Sequence, residues 1–131
     1  MLRLSFACIF LLFISCKKDN KGNSIIGKWQ VTDYFDGYTA WGGCNCWKPA
    51  TAALKHTVEF YGNGTYKLTP PPISSFSGCT GSYQLKNDST LRWNRCGSDE
   101  SDVKISFEPG FLLIEEPPQG GFYIYKYKRL R

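Results

Sequence analysis

The stretch Trp41-Gly42-Gly43-Cys44-Asn45-Cys46-Trp47 sets two thiols one residue apart among tryptophans. Thiol pairs of this kind hold a metal, exchange with other thiols, or close disulfides. The body of the chain adds two isolated cysteines, Cys79 and Cys96. Structural zinc sites space paired thiols C-x2–4-C, so C-x-C followed by two scattered cysteines fits poorly, even with His56, the only histidine, as a further ligand. One histidine also rules out two-histidine metal sites, and a Cys–His nucleophile would need one of these thiols to be free. The carboxylate pairs Asp99-Glu100 and Glu115-Glu116 offer little for acid–base work. Neighbouring residues on a strand point to opposite faces, so both pairs read as solvated turns or strand ends. No phosphate-cradling glycine motif occurs. The expectation is a protein without catalysis, without a cofactor and without a metal.

The compartment decides what the cysteines do. The chain opens MLRLSFACIFLLFISCKKDN, in which Arg3 precedes an apolar run over residues 4–14. A run of that length matches the core of a secretory signal, about 7–15 residues, and falls short of the roughly 20 needed to span a bilayer. The residues Phe-Ile-Ser-Cys at 13–16 resemble a bacterial lipobox, with Ser15 before the cysteine and Phe13 where leucine or valine is usual. That resemblance implies that residues 1–15 are a lipoprotein signal peptide and that Cys16 carries the acyl chains, palmitate among them. Residues 16–24 then form a flexible, charged tether. Each buried methylene of the anchor contributes about 0.8 kcal/mol. The protein would be held in the cell envelope, at the outer membrane, facing the periplasm or the surface. Ordinary cleavage would instead leave Cys16 as a free thiol.

An even number of cysteines in an exported domain argues for disulfides. A bridge from Cys44 to Cys46 would close a very tight ring and is set aside. The pairs are then Cys44–Cys79 with Cys46–Cys96, or Cys44–Cys96 with Cys46–Cys79. Each closes a loop of tens of residues and contributes roughly 3–4 kcal/mol in the chain-entropy model. The C-x-C motif would thereby staple a long loop to two distant turns.

Composition narrows the partners. The formal charge of +5 falls to +4 once Arg3 is removed, and Lys126, Lys128, Arg129 and Arg131 crowd the C-terminus. This is not the basic stripe with interleaved aromatics of a nucleic-acid binder, so no nucleic-acid partner is expected. The basic end reads as a solvated strand terminus.

The elements that must position these residues are strands. Residues 27–35 alternate Trp29, Val31 and Phe35 with Lys28, Gln30 and Thr32, a period of two. Runs at 56–61 and 65–69 flank Gly62-Asn63-Gly64, a hairpin signal. Further hairpins join 81–86 to 90–95 through Asn87-Asp88-Ser89, and 102–108 to 111–116 through Pro109-Gly110. Residues 121–129 close the series, and 49–55 allow a short turn. The pattern predicts one all-β domain over 25–131, a meander that buries one face by closing into a barrel or folding into a sandwich. Closure removes the edge strands and suits so aromatic an interior, so the expectation is an eight-stranded antiparallel up-and-down barrel, monomeric, with a long disulfide-pinned loop after its first strand. Its inward set is Trp29, Val31, Val58, Phe60, Tyr66, Leu68, Tyr83, Leu85, Leu91, Trp93, Val103, Ile105 and Phe107.

Within that barrel, strict alternation puts Asp33 on the face of Trp29 and Val31, and His56 on the face of Val58 and Phe60. Polar groups in an apolar cup suit a ligand pocket. The candidate lining is Asp33, His56, Phe60, Tyr66, Tyr83, Trp93 and Tyr125. Over residues 36–55, Tyr38, Trp41 and Trp47 belong to no strand pattern and suit a lid or a contact surface.

The segments Gly27-Lys28-Trp29, 58–68, Gly81-Ser82-Tyr83-Gln84-Leu85 and 125–129 together resemble the short lipocalin-like lipoproteins of Gram-negative bacteria, over about residues 25 to 130. The resemblance implies that Gly27 and Trp29 form the G-x-W signature at the closed end of the barrel, with Arg129, or else Lys128, packed on the tryptophan and a lid-like loop after the first strand. It also implies a function: binding a small, largely apolar ligand by burial. The alternative is a solid barrel that uses the aromatic 36–55 loop to contact a partner protein or an envelope glycan.

Overall fold

The computed structural model describes residues 24–37, 44–75, 77–116 and 123–131. The expected signal segment, Cys16, most of the tether, Tyr38 and Trp41 lie outside these residues. The strands are β1 (Gly27–Asp36), β2 (Cys46–Pro49), β3 (Thr57–Phe60), β4 (Thr65–Thr69), β5 (Cys79–Asn87), β6 (Thr90–Trp93), β7 (Ser101–Glu108), β8 (Phe111–Glu116) and β9 (Tyr123–Arg129). A single 3-10 turn, Arg95–Gly97, follows β6, and no α-helix occurs among the described residues.

Eight of these strands close the expected antiparallel barrel. From β3 to β9 each pairs with its neighbour in sequence, and β1 joins β3 on one edge and β9 on the other. The ninth strand, β2, was not foreseen. It pairs with Asp33–Asp36 of β1, continuing the edge that β3 occupies along Gly27–Gln30. Pairing with β1, rather than bridges to far turns, therefore holds the end of the long loop.

Turn chemistry sets the hairpin registers. After β3, the Asn63 carboxamide oxygen accepts from the Thr65 amide at 3.1 Å and the Thr65 hydroxyl at 2.6 Å, and Gly64 adopts φ +81°. That left-handed conformation is open to glycine at no steric cost. Asn87 repeats the device for Ser89 before β6, with bonds of 2.9 and 3.0 Å.

The period-two pattern fills the interior. Trp29, Val31, Val58, Phe60, Tyr66, Leu68, Leu91, Trp93, Val103 and Ile105 are all buried, as are Leu112, Ile114 and Tyr127, which the inward set omitted. Phe107 is half-buried, packed against the core, with its ring 6.5 Å from Trp29. Leu85 departs from expectation: it is 44% exposed. Pairing of β4 with β5 stops at Thr65↔Ser82, so Leu85 has β6 on one side and no strand on the other.

A second departure lies in β1. Its ladder with β9 slips between Val31 and Asp33, so that Val31 stands opposite Tyr127 but Asp33 opposite Lys126. An inserted residue flips every later side chain to the other face. Tyr34 and Asp36 therefore share the inner face with Tyr125 and Tyr123, while Asp33 and Phe35 face outward with Lys126 and Ile124. Asp33 is not part of the barrel lining.

One end of the barrel is sealed. The Trp29 indole donates to the Ile25 carbonyl at 2.7 Å, the Arg129 guanidinium lies 4.4 Å from the Trp29 ring centroid, and Arg129 also donates to the Ser24 carbonyl. The chain before β1 thus closes over the tryptophan, and it is Arg129 whose guanidinium lies on the Trp29 ring.

Candidate functional site

The cysteines pair differently from either expected connectivity. Cys44 bonds to Cys46 and Cys79 bonds to Cys96. The tight ring becomes feasible because Asn45 adopts φ 49°, a left-handed conformation that asparagine tolerates better than most residues. Its Cα atoms are 5.1 Å apart, within the normal disulfide range. Cys79–Cys96 joins the start of β5 to the turn after β6, and both residues pack against the core. Among the described residues no group of three histidine, cysteine or acidic side chains is placed to hold a metal.

The proposed lining residues divide by height in the barrel. Phe60, Tyr66 and Trp93 are 1%, 0% and 2% exposed and stack on one another with centroids 5.3–6.2 Å apart. They fill the barrel interior. Tyr83 adds an edge-on contact to Phe60 at 5.0 Å and donates to the Tyr61 carbonyl at 2.7 Å, on the side of the sealed end. The Tyr66 hydroxyl donates to the Asn94 carbonyl and accepts from the Cys96 amide at 2.9 Å. A Cβ on Gly81 would meet that same ring at 2.6 Å, so the cross-strand neighbour of Tyr66 must be glycine.

At the ends of β3 and β4 away from Gly27, next to Thr57 and Thr69, lies a cleft of about 340 Å³. Ala53, Leu54, Leu68, Pro70 and Pro71 supply its apolar wall, and His56, Ser74 and Arg95 its polar one. His56 is buried. Its Nδ1 lies 3.0 Å from the Leu54 carbonyl and its Nε2 3.0 Å from the Tyr127 hydroxyl. Because a carbonyl can only accept, Nδ1 carries the proton and Nε2 accepts from Tyr127. Burial, followed by the nearby Arg95 charge, lowers the His56 pKa to about 4, so the ring is neutral at pH 7. Burial likewise pushes the Tyr127 hydroxyl far above its ordinary range.

Arg95 is the charged group of the cleft. It pairs with Glu116 at the end of β8 and lies 5.9 Å from the Tyr125 ring centroid. Burial works against the Arg95 charge, but Glu116 and the surrounding tyrosines outweigh it and hold its pKa up. Burial raises the pKa of Glu116 despite Arg95. The expectation of a solvated Glu116 is thus corrected: its partner across the ladder is Tyr123, on the inner face, whereas Glu115 opposite Ile124 faces out. On the same inner face, Lys48 of β2 bonds Asp36 at 2.8 Å. Arg95, Glu116, Tyr34 and Tyr127 were absent from the sequence candidates. The alternation Tyr123-Tyr125-Tyr127 on β9 carried a signal for Tyr127. Nothing local marks Arg95, which reaches the cleft through the turn after β6.

The lid residue that is described, Trp47, is 45% exposed on the outer face. Its ring meets Phe35 at 5.6 Å and the Lys126 ammonium at 5.8 Å. Comparison with known protein families, curated proteins and solved structures returns no match.

Proposed function

We propose that this chain is a cell-envelope lipoprotein, anchored through Cys16, whose lipocalin-like barrel binds a small, largely apolar molecule at its mouth without chemistry. The observation that carries this reading is the cleft of about 340 Å³, with an apolar wall and the convergent groups His56 and Arg95. Ligand sites are typically clefts of this kind, apolar with a few placed polar groups. Since Phe60, Tyr66 and Trp93 are buried and packed on one another, the ligand stays in the cleft and does not descend through the barrel. Burying about 200 Å² of its apolar surface contributes about 5 kcal/mol, from which association costs are subtracted. Arg95 offers N–H donors to an acceptor on the ligand. The Trp29–Arg129 stack at the sealed end supports the lipocalin likeness, and the four bridged cysteines support an oxidising compartment.

A second reading, the interaction module, draws on Trp47, whose exposed ring sits beside Phe35 and Lys126 on the outer face. A fluorescent apolar probe displaced by lipid extracts separates the two. Leu54→Asp abolishes probe binding if the cleft is the site, whereas Trp47→Ala leaves it unchanged. Probe binding that survives Leu54→Asp and is lost with Trp47→Ala favours the outer face.

A further inference from the structure

The two disulfides differ in what they tie together. Cys79–Cys96 spans a sequence separation of 17, joins two elements, and is half-buried against the core. Cys44–Cys46 spans a separation of 2 and joins residues that are already chain neighbours. Cys44 and Asn45 are exposed, and Cys46 is half-buried at the start of β2. The four register pairs from Asp33↔Pro49 to Asp36↔Cys46 hold β2 on β1, and barrel closure runs along the β1–β9 ladder from Trp29↔Arg129 to Asp36↔Tyr123, of which only the last pair neighbours the bridge. A small, exposed, locally closed disulfide is the kind that incoming thiols reach and reduce, whereas one packed into the fold resists them.

We infer that Cys44–Cys46 is a thiol–disulfide exchange site that accepts two electrons from a dithiol. This inference is independent of the ligand reading. A thiolate of the donor attacks the exposed Cys44 Sγ, the Cys44–Cys46 bond breaks, and the electron pair leaves on Cys46 Sγ. Lys48, two residues along the same face of β2, sets a positive charge on that side, shared with Asp36 through their 2.8 Å contact. The donor's second thiolate then attacks its own sulfur in the mixed disulfide and releases the Cys44 thiolate. The donor ends as a disulfide, and Cys44 and Cys46 end as thiols that have taken up its two electrons and two protons. Cys79–Cys96 and the barrel remain unchanged.

The test uses the full-length chain produced in an oxidising periplasm. It is equilibrated with graded dithiothreitol, alkylated, and read by peptide mass spectrometry, with near-ultraviolet circular dichroism reporting the fold. Cys44 and Cys46 are expected to become labelled at a dithiothreitol concentration at least about tenfold lower than Cys79 and Cys96, with the dichroism retained. Reduction of both bridges together, of Cys79–Cys96 first, or loss of the dichroism with the Cys44–Cys46 step overturns the inference. In a second arm, a synthetic peptide with two cysteines separated by two glycines is mixed in reduced form with the oxidised chain. One peptide disulfide per chain is expected, and none with a Cys44→Ser, Cys46→Ser double variant that keeps Cys79–Cys96. Equal peptide oxidation by that variant, or no oxidation by the native chain, refutes exchange at this site.

Discussion

Acid should loosen this barrel through one residue. His56 has its pKa lowered to about 4 by burial and by the Arg95 charge, against an ordinary 6.5. The unfolded chain therefore binds a proton on His56 at a higher pH than the folded one. Stability from this group is complete above pH 6.5 and is lost as pH falls from there towards 4, below which both states are protonated. At ~1.4 kcal/mol per pKa unit the whole loss is about 3 kcal/mol, of which about 2 kcal/mol has gone by about pH 5. Urea unfolding of the native chain and of His56→Gln at about pH 7.5 and about pH 5 measures it. Glu116, whose pKa burial raises, titrates with the opposite sign in both proteins, so the difference in slope between them belongs to His56. Because the chain has one histidine, its ring proton resonances give the folded pKa directly. A midpoint near 6.5, or equal pH slopes for native and His56→Gln, would refute the argument.

Three further substitutions test the architecture. Gly81→Ala places a methyl 2.6 Å from both Asn94 Oδ1 and the Tyr66 ring, and should cost about 1–3 kcal/mol in chemical denaturation. Arg129→Ala removes the guanidinium from the buried Trp29 face and should cost about 1–2 kcal/mol, read in the same assay. Replacing Cys79 and Cys96 together by serine opens the longer loop and should lower stability by about 3 kcal/mol, roughly twice the effect of replacing Cys44 and Cys46.

The barrel was legible because its determinants are local. Alternation at Val58-Glu59-Phe60 and Tyr66-Lys67-Leu68, with Asn63-Gly64 between them, fixes a hairpin within a dozen residues. Two kinds of feature escaped. The slip between Val31 and Asp33 depends on how β9 meets β1, nearly a hundred positions away in sequence, and no property of Asp33 itself betrays it. The Cys44–Cys46 ring depends on one backbone angle at Asn45, which asparagine permits but does not announce. The cleft fell between these cases. His56 was placed by alternation from Val58 and Phe60, and Tyr125 belongs to the same inner face. Arg95 and Glu116 come together only because the turn after β6 and the end of β8 meet at the same rim.

The central claim is that the barrel mouth, not its middle or its outer wall, receives a small apolar molecule. The most direct measurement is a two-dimensional NMR titration of the isotope-labelled protein with 1-anilinonaphthalene-8-sulfonate, an apolar probe carrying one anionic group. The account predicts saturable shifts concentrated on Leu54, His56, Leu68, Arg95 and Cys96. Shifts confined to Phe35, Trp47 and Lys126, or spread evenly without saturation, would contradict it.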